Sequence, residues 1–504
     1  MNLLIDPWIP VRERGGSGPF RLLRLEEVLC GEADWRVSLS RDDLEMACLQ
    51  MLISLTQVLF IPDSDHQWRT RLKSPLSEGE FAAGIQPYLD WFDLDHPNQP
   101  FMQVRGVRAA EVTPIQKLLP GLPEGNNHAF FNRVDEVRHL SPAVAAIALF
   151  NQAVNSPSFG GGFKGGLRGG APLTTLIWGQ SLRQLIWRNV ITVERVQRRC
   201  PAWVPGQADD QPTWVQPIRD GEVIHGASIG LLRGLFWQPA HVELLAAAEA
   251  APCDVLGNEP VPGYVGFNKA KFNYSLSGMW AHPHGVMIGS AKKSEMEWKF
   301  MSFTTTAPAW TRLSEIVVPQ PGDKDAKEGS VPAAALQQQL ELQPKEPLHL
   351  LVGGYMANQA AIVERRHELI GLAAGWGDDA KFLTKLIKSG LAAKKALRGK
   401  LYLAAQGNKD KGVKGIGTAI HEVGEAQFYA LTEGLFHDLL NAPATFAERQ
   451  AAQQRFIQKL GDVCRVIYQQ LTDPYGAKPE LIAAIAWGRR ALNADLNKLL
   501  EETP

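Results

Sequence analysis

Beyond about Gly377 apolar residues recur along the chain with a helical period. Phe382, Leu386, Ala393, Leu397 and Leu401 mark one stripe, and Phe428, Leu431, Leu435 and Leu439 a second. Phe456, Leu460, Cys464, Ile467 and Leu471 form a third, and Leu481, Ile485, Leu492, Leu496 and Leu499 a fourth. Spacings of three, four and seven residues put each set on one helix face, and four such faces are buried most simply against one another in a bundle. Thr445 and Glu448 have the spacing of a capping box for the third helix, while Pro479 suits the first turn of the fourth.

Upstream, as far as about Leu350, the texture is different. Short β-like runs, LTTLIWG at 173–179, KFNYSLSG at 271–278 and GVMIGS at 285–290, are interrupted by Pro and Gly. Residues 41–60 predict a helix from the loose spacing of Leu44, Leu49, Leu52 and Leu55. The polar, Pro- and Gly-rich stretch at 319–332 reads as a loop or linker. The expected fold class is α+β: a large irregular mixed α/β N-terminal domain over 1–365, followed by a C-terminal four-helix bundle over 366–504. A chain of 504 residues also exceeds what one core usually serves.

Composition narrows the partners. Hydrophobic content of 45% and a formal net charge of −1 describe a folded chain with no global field, so any surface for a polyanion has to be a local patch. Five dispersed cysteines without a C-x-x-C pair argue against a disulfide framework or cysteine-zinc site and fit a reducing cytoplasm. The start, MNLLIDPWIP, has no basic leader, and no apolar run approaches about 18 residues, so neither export nor a membrane is expected. One patch does stand out. Between Lys381 and Lys414 lie ten basic residues, Lys394 and Lys395 among them, against the single acid Asp410. A solvated helix face and a polyphosphate-binding surface are both open readings of it. Lys292 and Lys293 add a smaller basic pair.

The least ordinary segment is 160–170, where seven of eleven residues are glycine and Lys164 and Arg168 sit among them. Glycine lets backbone approach a partner closely, at an ordering cost of roughly 1–2 kcal/mol per residue. A mobile linker and a close-contact surface are equally compatible with that composition. Gly160, Gly162 and Gly165 match G-x-G-x-x-G, but the β-like run follows the loop instead of preceding it, so the strand–turn–helix context of a dinucleotide site fails. His282 and His284 lack carboxylate or cysteine company and read as ordinary surface or core histidines. His421 and Glu425, spaced for one helix face, read as an exposed hydrogen-bonded pair.

Several long strings, in order along essentially the whole chain, resemble one family. They are NLLIDPWIPVR at 2–12, IALFNQA at 147–153, FGGGFKGGLRGG at 159–170, RGLFWQPAHVEL at 233–244, FTTTAPAWT at 303–311 and GGYMANQAAIVERRH at 353–367. The sequence is similar to the CasA family, the large subunit of the type I-E CRISPR surveillance complex Cascade. That resemblance implies a non-catalytic subunit without a cofactor, partnered by the other Cascade subunits, CRISPR guide RNA and double-stranded target DNA, and later by a helicase-nuclease. It implies reading of the protospacer-adjacent motif from the minor groove by Gly160, Gly161, Gly162 and Lys271, with Gln359 and adjacent Asn358 as a wedge that opens the duplex. It also implies docking of Phe130, Phe131 and Asn132 near the guide-RNA handle.

DNA backbone contacts are expected from Lys164, Arg168, Lys292, Lys293, Lys394 and Lys395. Some relatives carry clustered cysteines where this chain keeps only Cys253, so no structural zinc is expected. Without the resemblance, Lys271 is a strand-end lysine and Gln359 a residue near a helix start. A nucleotide- or metal-dependent enzyme and a scaffold for protein and RNA alone are the competing functions.

Overall fold

The computed structural model describes residues 1–15, 20–123, 135–201, 203–292, 295–320 and 328–502. They divide into two compact units. The first is Met1–Thr305 with Pro319–Leu342 and Leu350–Leu369; the second is Thr306–Val318 with Gln343–His349 and Ile370–Pro504.

In the first unit β1 (Ile9–Glu13) lies between β2 (Arg21–Leu23) and β3 (Trp35–Val37) in an antiparallel sheet. Two helices, α1 (Asp42–Leu59) and α2 (Pro142–Val154), pack on each other and are buried over most of their length. Both are apolar nearly all round, which only an interior position satisfies. Acidic Asp42, Asp43 and Glu45 occupy the first turn of α1, where the helix dipole favours them, and the Ser141 hydroxyl caps α2 ahead of Pro142. Strand β4 (Thr174–Ile177) is fully buried.

Next come β5 (His241–Ala246) and β6 (Tyr264–Ala270), an antiparallel pair whose second member also bonds the short strand Thr113–Pro114. Strand β7 (Tyr274–Ser277) runs parallel to the strand Glu222–His225. Strand β8 (Met287–Lys292) is flanked by β9 (Glu295–Phe300) and β10 (Glu328–Val331). The loop expected at 319–332 therefore ends in a strand, because Gly329 lies opposite Gly289 and the edge of β8 supplies hydrogen bonds that local composition does not announce. Finally β11 (Leu348–Asn358) and β12 (Ala361–Leu372) form a long hairpin, with β11 bonded on its other side to β4.

The second unit carries the four long helices: α3 (Ala380–Gln406), α4 (Ile420–Asn441), α5 (Arg449–Thr472) and α6 (Pro479–Glu501). Helix α3 packs on the other three, and α5 also meets α4 and α6. The stripes of α3, α5 and α6 face inward at Phe382, Leu386, Leu397, Phe456, Leu460, Ile467, Leu481 and Leu492. On α4 the buried face is Phe428, Thr432, Phe436 and Leu440, whereas Leu431 is 52% exposed. The expected stripe was rotated by one position after Phe428, because Phe436 outcompetes Leu435: its ring stacks on Trp310 at 3.5 Å and enters a notch where a Cβ on Gly390 would lie 2.3 Å from Cζ. The expected capping box is absent as well. Thr445 is buried and bonds the Leu439 carbonyl at 2.6 Å, while Glu448 itself takes the N-cap position of α5.

This register has a direct test. Phe436→Ala is expected to cost about 3–5 kcal/mol of unfolding free energy, and Leu431→Ala less than about 1 kcal/mol, by urea denaturation monitored in the far ultraviolet. Equal losses for the two would return the buried face to Leu431.

Candidate nucleic-acid interface

The glycine loop follows α2 and precedes β4, so both its ends are fixed to buried elements. Gly160, Gly161 and Gly162 have φ of +81°, +55° and +85°, a left-handed run that a Cβ would strain. A Cβ on Gly161 would meet nothing within 4 Å, whereas one on Gly166 would strike the Ala153 carbonyl oxygen at 2.4 Å. One part of the loop is thus open to a partner and the other is pressed against its own scaffold. Beneath the open part Phe159 contacts Phe163 and Phe267, and Lys269 Nζ lies 5.2 Å from the Phe159 ring centroid. Exposed Lys164 reaches over Tyr274 at 6.0 Å.

Lys271 leaves the end of β6 and donates from Nζ to the Gly161 carbonyl oxygen at 3.2 Å. That places its ammonium beside the loop, 3.5 Å from where a Gly162 Cβ would be. Gln359 sits at the tip of the β11–β12 hairpin and not near a helix start. It has φ of +55°, one of four non-glycine residues with positive φ among those described. The following Ala360 does not share the positive φ, so the turn has the φ pattern of type II′, which normally asks for glycine at its first position. A Cβ on Gly160 would lie 3.4 Å from Ala360 Cβ. Glycine loop, lysine and hairpin tip, distant in sequence, meet within one unit at one surface.

Arg168 is the clear correction. It is 4% exposed and cannot reach a phosphate: Nη1 donates to Thr174 Oγ1 at 2.8 Å and Nη2 to Asn155 Oδ1 at 2.6 Å. Burial pushes its pKa down to about 9. His282 and His284 lie in the same interior, 4% and 1% exposed, with His284 Nε2 2.9 Å from the Asn189 carbonyl oxygen. Burial, aided by the Arg168 charge, holds His282 well below the usual histidine range; burial also brings His284 down to about 4. Among the described residues no three His, Cys, Asp or Glu are grouped to hold a metal.

The other expected contacts are dispersed. Lys292 closes β8; Lys293 and the Phe130, Phe131 and Asn132 segment lie outside the described residues. In the second unit Lys394 is tied to Glu425 at 2.8 Å and Arg398 to the same carboxylate at 2.7 Å. Burial alone raises the Glu425 pKa, but the two cations hold it below the usual range. Glu425 therefore does not pair with His421, which is buried and packs edge-on against Tyr402 at 5.0 Å. Lys395 is exposed, as are Lys381, Lys385 and Lys388, and these four have no carboxylate partner among the described residues. What the sequence missed was the hairpin. Its turn, Asn-Gln-Ala-Ala at 358–361, lacks the Asn-Gly or Asp-Gly mark of a tight β-turn, and the only available signal was the long β-rich stretch around Val352 and Val363.

A sequence model of the CRISPR-associated protein Cse1 matches residues 2–465. The chain belongs to the Cse1 family. A CasA/Cse1 protein of Thermus thermophilus is 30% identical over 268 residues, a stretch that spans 48% of this chain and 49% of that relative. The CasA strings and the Cse1 match thus name the same family. The fold is also that of the Thermobifida fusca Cse1 crystal structure, with a TM-score of 0.77 at 20% identity over 99% of this chain and 98% of that one. A chain of a CRISPR RNA-guided surveillance complex gives 0.66 at 17% identity over 98% and 99%. No described helix of this family member is long and apolar enough to cross a membrane.

The buried histidine pair makes an acid-stability prediction. A histidine held neutral in the fold but free to protonate when unfolded stabilises fully above about pH 6.5 and loses that contribution as pH falls towards the depressed value. For His284, shifted from 6.5 to about 4, the loss amounts to roughly 3 kcal/mol across that window. His284→Gln is expected to flatten the fall of unfolding free energy between pH 6.5 and pH 4, measured by denaturant titration at fixed pH.

Proposed function

We propose that this chain is the large, non-catalytic subunit of a type I-E Cascade complex, and that its glycine loop, Lys271 and hairpin tip together read the protospacer-adjacent motif and start strand separation. The carrying observation is the convergence of Gly160–Gly162, Lys271 and Gln359 on one exposed surface. Family membership supplies the class of partner. A minor groove is about 6 Å wide, so bare backbone and an extended lysine stem fit where bulkier side chains do not. Its pattern of donors and acceptors separates A·T from G·C and little more, so a reader of this kind accepts several related motifs.

Opening a base step costs a few kcal/mol, and the wedge has to replace lost stacking and pairing. A glutamine amide is flat and carries both donor and acceptor, and a tip held at φ of +55° presents it on a short rigid turn. After opening, pairing with guide RNA is a near-balanced exchange that needs little further help. The helicase-nuclease would then find its landing surface on this subunit, and 130–132 would serve the guide-RNA handle. Lysines 381, 385, 388 and 395 follow helical spacing on α3 and form the stripe best suited to a displaced strand. Lys394, held by Glu425, is less free for that task.

Three variants test the reading in the assembled complex. Gly161→Asp, at a position where aspartate tolerates positive φ and no neighbour is struck, is expected to weaken binding to motif-bearing duplex by about tenfold or more. Lys271→Ala is expected to lower the slope of log affinity against log salt by about one. Gln359→Ala should slow opening, followed with a fluorescent base analogue beside the motif, more than it weakens capture. Unchanged binding by the Gly161 variant at matched salt would count decisively against the loop. A complex whose affinity is indifferent to scrambling of the motif would leave only the scaffold reading.

A further inference from the structure

An unbroken file of hydrogen bonds, buried except for its half-buried last member, runs from the glycine loop through the hairpin strand that carries Tyr355. Arg168 Nη2 donates to Asn155 Oδ1 at 2.6 Å, and Asn155 Nδ2 donates to Asn151 Oδ1 at 3.1 Å. Asn151 Nδ2 then donates to Tyr355 Oη at 2.7 Å, and Tyr355 Oη donates to Asp43 Oδ2 at 3.0 Å. Every donor points the same way, from a guanidinium at one end to a carboxylate at the other. Aligned bonds of this kind polarise one another, and in an interior of low dielectric each strengthens the next. Arg168 makes no direct ion pair among the described residues, and the file leads from it over four bonds to the Asp43 carboxylate. Asp43 is fixed in turn by Arg41 at 2.7 Å and by Arg365 of β12 at 3.4 Å.

The elements joined in this way matter more than the energy involved. Arg168 belongs to the glycine loop, Asn151 and Asn155 to the end of α2, Tyr355 to β11 four residues before Gln359, and Arg365 to the opposite strand of the same hairpin. Tyr355 is 2% exposed and its ring fills the core, so its hydroxyl is separable from its packing. We propose that this relay is a positioning device that sets the glycine loop against the hairpin tip, with Tyr355 and Asn151 as its positioning residues. For its purpose, though not for its geometry, the proposal rests on the motif reading above.

Tyr355→Phe keeps the ring, removes the hydroxyl and leaves Asp43 its two arginines. In a Cys30→Ser background, spin labels at exposed positions 164 and 363 report the separation of loop and hairpin in the full chain. The wild type is expected to give one narrow distance distribution and Tyr355→Phe a broadened or displaced one. An unchanged distribution overturns the relay, whatever happens to the thermal midpoint. Asn151→Leu cuts the file at its middle and is expected to act alike, so the test survives if one variant fails to fold.

In the assembled complex the ratio of affinities for motif-bearing and scrambled duplex is expected to fall about fivefold in Tyr355→Phe, the weight of one hydrogen bond, with scrambled-duplex affinity unchanged. A purely structural hydroxyl would lower the midpoint and leave that ratio alone. If Gly161→Asp and Gln359→Ala do not alter the ratio in the wild-type background, the motif reading fails, while the distance measurement still decides the relay.

Discussion

A loop in which seven of eleven residues are glycine has almost no side chains with which to hold a shape, and the one that holds it most firmly is a buried arginine. Arg168 turns away from solvent, bonds Thr174 at the start of β4 and Asn155 at the end of α2, and so fastens the loop to the two elements it connects. A lone interior guanidinium is costly unless its donors are met and its charge answered. Thr174 Oγ1, Asn155 Oδ1 and the Val154 carbonyl oxygen accept from its Nη groups, while its buried Nε has no partner among the described residues. The exposed glycines can therefore be ordered without side chains of their own in the way of a partner.

The same logic explains how much could be read from the chain alone. Helix 41–60 and the bundle helices were legible because burial of whole faces leaves a periodic trace, and α1 runs Asp42–Leu59 as that trace implied. The stripe on α4 slipped because Leu431 and Thr432 differ by a single position and only the notch at Gly390 decides which neighbours turn inward. Strand Glu328–Val331 was invisible because it exists through pairing with a distant segment, and the turn at Gln359 because no residue in it favours the positive φ that the hairpin imposes there. Lys271 was legible as a strand-end lysine, but its place beside Gly161 is a tertiary fact.

Charge followed tertiary context too. The dense run of lysines and arginines on α3 looked uniform in sequence, yet Glu425 and Asp495 claim Lys394, Arg398 and Lys400, leaving Lys381, Lys385, Lys388 and Lys395 outside those pairs. Arg168, read as one more surface cation, turned out to be an interior structural element. Counting basic residues overstates a polyanion surface where partners within the fold have already been assigned.

Gln359 carries a consequence for how this protein can be improved or evolved. Holding a side chain in the left-handed region costs about 1–2 kcal/mol that glycine would not incur, so selection for thermal endurance alone should enrich glycine at 359. If Gln359 acts as the proposed wedge, selection for strand separation should do the reverse. The two pressures meet at a single turn residue, and a hardened variant of this subunit would gain its stability by discarding the side chain for which we propose the wedge role.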